Sequence, residues 1–547
     1  MPKAARTWRV LDLELGLDED ESVLRARAAE VAGVEPERIR GFRLARKSLD
    51  ARRTGGVRRL RFVVHADVVL DADPGGDRLR RALRAGRIVE APPTETFVVG
   101  RRAQARRDDR VVVVGTGPAG LYAALVLATN GARVDVIDRG AALDRRGQDV
   151  VRFHRSRIPN PESNLLFGEG GAGTYSDGKL YTRVDDPLEV PCLEELVRCG
   201  ANADILYDSR AHIGTDRLHR ILPVFRERLE SKGVRFHFDT RMDSLTVEPR
   251  TRRVTAVSTP RGELPCDALF LAPGHSARDT LRMLARLGMR VDAKPFQLGV
   301  RIEHPQRLID RGRHGSAPGA ERLGPAYYNL VCKAAQGLPS TYSFCMCPGG
   351  KIVASVNAPG VLCTNGMSNS MHSSPWANAA LVTTFGPADY GPGPFAGVEF
   401  QQELEQRFFE AGGADFTAPA QRADDFLAGR LTGHPGRSSY TFGTCPGRID
   451  GLLPATARDA IARALAEFDR RIPGFAGPEG LLVGLESRSS GPLRLTRDRD
   501  SFSAIGFANL YPVGEGAGYA GGIMSAAIDG ARAAKRYLDP TGGVASG

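Results

Sequence analysis

Cysteine is scarce, 8 in 547 residues, and its irregular placement rules out a disulfide framework. No N-terminal stretch joins a basic start to an apolar segment and a cleavage site, so a reducing, cytoplasmic setting is expected. Long hydrophobic runs are missing too. The most apolar stretch, around Val111 to Val136, is broken by Gly, Pro, Asn and Arg well short of a bilayer span, and no membrane partner is expected. No residues stand at a spacing that commits the chain to a metal, and none is expected. No second Gly-x-Gly-x-x-Gly follows a strand pattern, which argues against a permanent second dinucleotide domain.

What is present is a folded composition, 42% hydrophobic and 25% charged. At roughly 150 residues per domain, the length predicts three or four domains. The 63 glycines are clustered, which points to tight turns beside a ligand rather than to linkers. Most of the net charge of +11 lies in residues 1–110, with 25 Lys+Arg against 18 Asp+Glu. A basic region of this kind suits nucleic acid or an acidic partner, but it equally describes a solvated Arg-rich surface.

Residues 1–100 read as an independent unit. Strand patterns at Trp8 to Leu15, Arg40 to Ala45, Arg59 to Leu70 and Ile88 to Ala91 alternate with helix patterns at Glu21 to Ala32 and Asp77 to Ala85. The order βαββαβ is that of the ferredoxin-like motif. An Arg-rich connector, Arg101 to Arg110, leads into Val111-Val112-Val113-Val114, a run typical of a parallel strand buried on both faces. Helix and strand alternate from about 190 to 290, as in Asp216 to Lys232 and Val234 to Thr240. A mixed region rich in Gly and Pro follows to about 470, and no repeat or low-complexity segment appears apart from a short glycine-containing tail.

Directly after the valine strand comes Gly115-Thr116-Gly117-Pro118-Ala119-Gly120, then a helix pattern from Leu121 to Thr129. The first glycine permits the turn, the second lets backbone approach a pyrophosphate, and the third lets the helix pack on the strand. A second strand, Arg133 to Asp138, ends 23 positions after Gly115 in an acid suited to an adenosine ribose, with Arg139 beside it. FAD and NAD share this fingerprint. The segment Leu510 to Ile523 supplies a second strand, glycine turn and helix start, which suits the flavin end of FAD and is not required by NAD. Cys266 to Leu271 is a further buried strand, ending at Pro273-Gly274.

With these segments the sequence resembles the bacterial FAD-dependent dehydrogenases of the glutathione-reductase-like flavoprotein superfamily. The resemblance is carried by Asn164 to Leu180 (NLLFGEGGAGTYSDGKL), Lys294 to Pro305, Cys345-Met346-Cys347-Pro348-Gly349-Gly350, Glu486 to Ser490 and Arg46 to Arg52. It implies an α/β fold with a Rossmann-like FAD domain of glutathione-reductase type in two stretches, 108–292 and 476–547. It further implies an inserted α+β substrate domain at 293–475 and a ferredoxin-like domain at 1–100. It implies that Gly171, Ala172, Gly173, Ser176 and Asp177 line the cofactor, and that main chain at Met242 meets the adenine. Gly274, Gly514, Glu515, Gly522 and Ile523 complete the cofactor set. Lys179 is either a positive charge near the flavin ring or a solvated lysine after an Asp-Gly turn. Glu515 is a hydroxyl acceptor, a helix-start carboxylate, or both.

The expected activity is hydride exchange between flavin N5 and a small-molecule substrate, with NAD(P)H docking transiently or a protein partner carrying electrons. Alternatives are a flavin-dependent RNA-modifying enzyme, against which the lack of aromatic-rich RNA-binding signatures counts, an NAD(P)H-dependent FAD monooxygenase, and a non-catalytic flavin-binding protein. No residue stands out as a general base; His275 and Tyr519 are weak candidates. Arg488 and Arg494 suit an anionic substrate, the flavin pyrimidine, or surface salt bridging. Cys345 and Cys347 are a redox pair, metal ligands with Cys332 and Cys363, or inert or substrate-lining thiols.

Overall fold

The computed structural model describes residues 6–541 except 55, 56, 59, 71–76, 183 and 316–318. The expected strand start at Arg59 and the tail from 542 lie outside these residues.

The N-terminal unit follows the predicted element order. Strands Arg6–Gly16, Gly41–Asp50, Arg61–Leu70 and Ile88–Glu90 alternate with helices Val23–Ala32 and Asp77–Arg84. The strands form one antiparallel sheet, ordered Gly41–Asp50, Arg61–Leu70, Arg6–Gly16, Ile88–Glu90. Val10, Leu13, Val64, Ala66 and Val68 of the sheet meet Leu24, Ala28 and Leu79 of the helices in one small core. A bulge between Val10 and Leu13 puts Asp12 at φ +56°, and its N–H donates to His65 Nδ1 at 3.1 Å.

The valine run does become a buried central strand. Five parallel strands stand in the order Leu510–Pro512, Ala268–Leu271, Arg110–Val114, Arg133–Ile137, Arg235–His237. Val111 to Val114 and Ala268 to Leu271 are buried throughout, which is why neither alternates. The edge strand is shorter than the expected Val234 to Thr240, and Asp239 takes φ +50° just beyond it. Helices Pro118–Thr129 and Ile523–Leu538 lie against each other, and small residues permit it: a Cβ on Gly530 would stand 2.0 Å from the Ala119 carbonyl oxygen. This layer is therefore closed by a strand and a helix from the far end of the chain.

The third body is a seven-stranded sheet ordered Val331–Cys332, Thr341–Cys347, Trp376–Phe385, Phe296–Pro305, Leu481–Glu486, Ala418–Arg422, Thr444–Pro446. Helices Ala396–Ala411 and Ala455–Arg471 join its core. Strand Leu481–Glu486, which follows the boundary expected at 475, pairs with both Phe296–Pro305 and Ala418–Arg422 inside this sheet. The apolar pattern of 481–485 was contiguous with the expected flavin-domain tail, and its partners lie far away in sequence. Chain entry and exit run side by side as the ribbon Val291–Ala293 with Leu493–Leu495.

Candidate active site

The three fingerprint glycines meet three different constraints. Gly115 has φ +101°, and a Cβ there would stand 2.2 Å from the Ala272 carbonyl oxygen. A Cβ on Gly120 would stand 1.9 Å from the Gly115 oxygen, so the helix could not close on the strand. Gly117 is half-buried, and a Cβ there would meet nothing nearer than Gly171 Cα at 4.0 Å. Pro118 opens the helix, no side chain caps it, and no acid sits in its first turn, so the amides of Ala119 and Gly120 lie at an N-terminus suited to an anion. The turn lies where strand order reverses, between neighbours Arg133–Ile137 and Ala268–Leu271.

Asp138, expected at the ribose, is also bonded within the protein. Its Oδ1 accepts from the N–H groups of Gly140 (2.8 Å) and Gly168 (3.1 Å), and its Oδ2 from Thr116 N–H (2.9 Å) and Oγ1 (2.6 Å). Four protein donors tie three segments together through this carboxylate. Arg139 pairs with Glu162 (2.7 Å) and Asp279 (2.9 Å) over the Phe167 ring.

The loop 164–180 is shaped by a residue that sequence reasoning missed. Arg146 is fully buried and donates to the carbonyls of Asn164 (2.8 Å), Glu169 (2.6 Å) and Gly171 (2.8 Å) and to Thr174 Oγ1 (3.1 Å). Burial pulls its guanidinium down to about 10. In the sequence it stands in an Arg-rich helix, indistinguishable from surface arginines. Its grip seats Gly171, at φ +64°, against the fingerprint, where a Cβ would stand 3.0 Å from Gly117 Cα. Gly173 meets Ile523 from the C-terminal helix, Ala172 is exposed, and Ser176 Oγ donates to the Gly173 carbonyl at 2.7 Å. Asp177 is buried and accepts from Ser368 Oγ. Lys179 is neither solvated nor free: its ammonium stands 2.7 Å from Asp177 Oδ2 and 3.8 and 3.7 Å from the sulfurs of Cys345 and Cys347.

The second glycine turn closes the opposite wall. Gly514 has φ +76°, donates to Asp529 Oδ2 at 2.7 Å and packs on Ala119. Gly516 lies against Gly274, while Gly274, Gly521 and Gly522 would carry a Cβ with nothing within 4 Å. The helix from Ile523 starts without a side-chain cap or a first-turn acid. Two bare helix starts therefore meet through Gly117–Gly171 and Gly173–Ile523, a cradle that fits an elongated anionic dinucleotide. Met242 is buried among Ile137, Leu245 and Leu269, so its side chain packs.

Beside the cradle, burial lifts the Glu515 carboxyl to about 7, against the pull of Lys294. His275 Nε2 lies 3.7 Å from Glu515 Oε1. Burial, with Arg488, Arg278 and Lys294 adding to it, lowers His275 to about 3, so it stays neutral. Arg488 is not available to a substrate: it holds Glu405 through Nε (2.8 Å) and Nη2 (2.7 Å), while Arg278 holds the same carboxylate at 3.0 Å twice. Burial would raise Glu405, but the two guanidiniums keep it well below the usual range. Tyr519 is an anchor, its hydroxyl accepting from Arg497 N–H (3.0 Å) and its ring under that guanidinium. Arg494 is exposed and stands over the Tyr519 ring. Arg301, also missed, is fully buried and bonds Glu486 (2.8 Å) and Asn378 (2.6 Å). Its signal was a charge at an inward position of the apolar strand Phe296–Pro305.

Comparison with known proteins agrees with this geometry. Residues 108–267 match the family described as "FAD binding domain", 295–489 that described as "FAD-dependent protein, C-terminal domain-like", and 8–68 a domain of unknown function. A protein of Clostridium beijerinckii, named "Uncharacterized protein", is 36% identical over 543 residues, 97% of this chain and 98% of its own. The chain belongs to that protein's family of FAD-dependent proteins. With its own two flavin-related regions, the chain is an FAD-dependent oxidoreductase with FAD as cofactor. A kynurenine 3-monooxygenase of Salinispora arenicola is 31% identical over 213 residues, 34% of this chain and 40% of its own. The solved L-amino acid deaminase from Proteus vulgaris aligns over 83% of this chain and 97% of its own, at 11% identity and a TM-score of 0.35. Among the described residues, no helix is long and apolar enough to cross a membrane.

Proposed function

We propose that this flavoenzyme is a dehydrogenase or reductase that exchanges hydride with a small organic substrate held between the glycine cradle and the seven-stranded sheet. The observation that carries the reading is the meeting of two uncapped, acid-free helix starts through Gly117–Gly171 and Gly173–Ile523. In this reading the amides of Ala119 and Gly120 hold the pyrophosphate, Ala172 and Gly173 lie along the cofactor, and Gly274, Glu515, Gly522 and Ile523 border its flavin end. Bound FAD supplies a two-electron acceptor and donor at N5. Glu515, protonated below about pH 7, holds or releases a proton at Oε1 beside the neutral His275 imidazole.

The five-stranded layer, from 108–292 and about 490–541, is assigned the glutathione-reductase type, with 293–489 as the substrate unit; the shared parallel sheet and the neck at Val291–Ala293 with Leu493–Leu495 support this. The N-terminal unit is assigned the ferredoxin-like type on its element and sheet order. A transient nicotinamide or a protein partner completes the electron cycle. Anaerobic mixing with NADPH and then NADH, followed by an organic substrate library, tests the reading. Bleaching of the flavin by a nicotinamide or an organic donor supports it, and flavin that no donor reduces overturns it. The partial likeness to a kynurenine 3-monooxygenase favours a second reading, an NAD(P)H-dependent monooxygenase. Oxygen uptake that depends on an added aromatic substrate distinguishes it.

A further inference from the structure

Strand Thr341–Cys347 is interrupted at its end. Phe344 faces Ala380 and Cys347 faces Asn378, so one extra residue bulges between them. At that bulge Cys345 takes φ +44°, a left-handed conformation that strains a residue with a Cβ. The kink brings both sulfurs around one ammonium: Lys179 Nζ is 3.8 Å from Cys345 Sγ and 3.7 Å from Cys347 Sγ. Cys347 Sγ also lies 3.3 Å from the Cys345 carbonyl and 3.9 Å from Arg301 Nη2. Asp177 balances Lys179, and Glu486 balances Arg301.

The two thiols are unlike in access and in proton affinity. Cys345 is partly exposed and Cys347 is buried. The hydrogen bond from Cys347, with Lys179 and Arg301, pulls Cys345 well below the usual thiol range against the effect of burial, while the same contact and burial push Cys347 up. An accessible thiolate beside a shielded thiol is the arrangement of an attacking and a resolving cysteine. The pair also reaches the cradle electrostatically, since negative charge on Cys345 contributes to the raised Glu515.

We propose that Cys345 and Cys347 form a second two-electron centre in this enzyme, a dithiol that reduces a low-molecular-weight disulfide and closes to an internal disulfide. The proposal rests on the hydride-exchange reading, because the flavoenzyme's organic donor must restore the pair. Cys345 thiolate attacks one sulfur of the disulfide, forming a mixed disulfide and expelling one thiolate, which takes a proton from solvent. Cys347 then attacks Cys345, forms the internal bond and expels the second thiolate, which takes the proton that Cys347 gives up. Two electrons and one proton, drawn through the FAD-bound enzyme from the organic donor, return the internal disulfide to one thiolate and one thiol. The two thiols thereby supply the electron acceptor that a dehydrogenase of this kind requires.

The test uses the holoenzyme treated with oxidised glutathione, desalted, and titrated anaerobically with dithionite while thiols are counted by maleimide labelling and peptide mass. Wild type is expected to lose labelling at Cys345 and Cys347 together and to take up four electrons per FAD, against two for Cys345→Ser, which forms neither disulfide, while Cys347→Ser retains a mixed disulfide at Cys345 and releases one glutathione on reduction. Lys179→Met is expected to slow maleimide labelling of Cys345 at neutral pH by about tenfold, as loss of one neighbouring cation raises the thiol. Two electrons per FAD in wild type, with both cysteines still labelled, overturns the proposal. If the thiols respond as expected and no organic donor reduces the flavin, the hydride-exchange reading fails and the dithiol chemistry stands.

Discussion

Replacing Arg146 by Met leaves the carbonyls of Asn164, Glu169 and Gly171 without their donor inside the protein. Each buried acceptor left alone costs about 1 kcal/mol or more, so Arg146→Met is expected to lower unfolding free energy by about 3 kcal/mol. It is also expected to release FAD, which retained visible absorbance after gel filtration measures. Glu515 acts through protons. Its folded carboxyl sits at about 7 against an ordinary 4.5, so between these values the folded protein binds the extra proton and stability falls as pH rises. Glu515→Gln is expected to flatten that slope in urea midpoints and to remove an inflection near pH 7 from kcat/KM. The fingerprint glycines Gly115, Gly117 and Gly120 were readable from local spacing. Arg146 was not, because its partners lie 18 to 28 positions away and its neighbours in sequence are surface arginines.

At the level of the elements, the cradle depends on backbone that nothing covers. Gly171→Val asks a β-branched residue to adopt φ +64° with its Cβ 3.0 Å from Gly117 Cα. Strain of about 1–3 kcal/mol follows, and FAD affinity measured by fluorescence titration is expected to fall at least about tenfold. A second element-level device is the Arg278–Glu405–Arg488 cluster, which joins helix Arg278–Arg286, helix Ala396–Ala411 and the segment after strand Leu481–Glu486. Glu405→Gln leaves two buried guanidiniums facing each other and is expected to destabilise by about 3–5 kcal/mol. Because Glu405 is depressed when folded, its contribution is complete above the ordinary 4.5 and is lost as pH falls toward the folded value. Acid denaturation midpoints of wild type and variant should therefore converge. Strand Arg6–Gly16 and helix Val23–Ala32 of the N-terminal unit were legible because each buries apolar residues at its own spacing, Leu13 and Leu15 on the strand and Leu24, Ala28 and Ala32 on the helix. The cluster was not legible: its members are 127 and 83 residues apart, and no local pattern links them.

The molecule as a whole is three layers joined in an order that differs from the chain's. The two flavin-related stretches were readable from their glycine turns, whereas the pairing of strand Leu481–Glu486 was not, because both its neighbours lie more than 50 residues away. The five-stranded layer has one further consequence, in the timing of biosynthesis. Strand Ala268–Leu271 emerges from the ribosome about 240 residues before its outer neighbour Leu510–Pro512, a delay of roughly 12 to 48 s at usual translation speeds. Throughout that interval one edge of a fully apolar strand has no neighbour, and the face of helix Pro118–Thr129 that will meet Gly530 is bare. A chain stopped after residue 505 is expected to be insoluble and colourless, and co-expression of residues 506–541 in trans to restore flavin binding, as pelleting and visible absorbance report. The nascent protein thus spends its most aggregation-prone moments with two of its three bodies able to fold and the cofactor's own seat still waiting for the last strand, so chaperone demand should rise with every slowing of translation between those two strands.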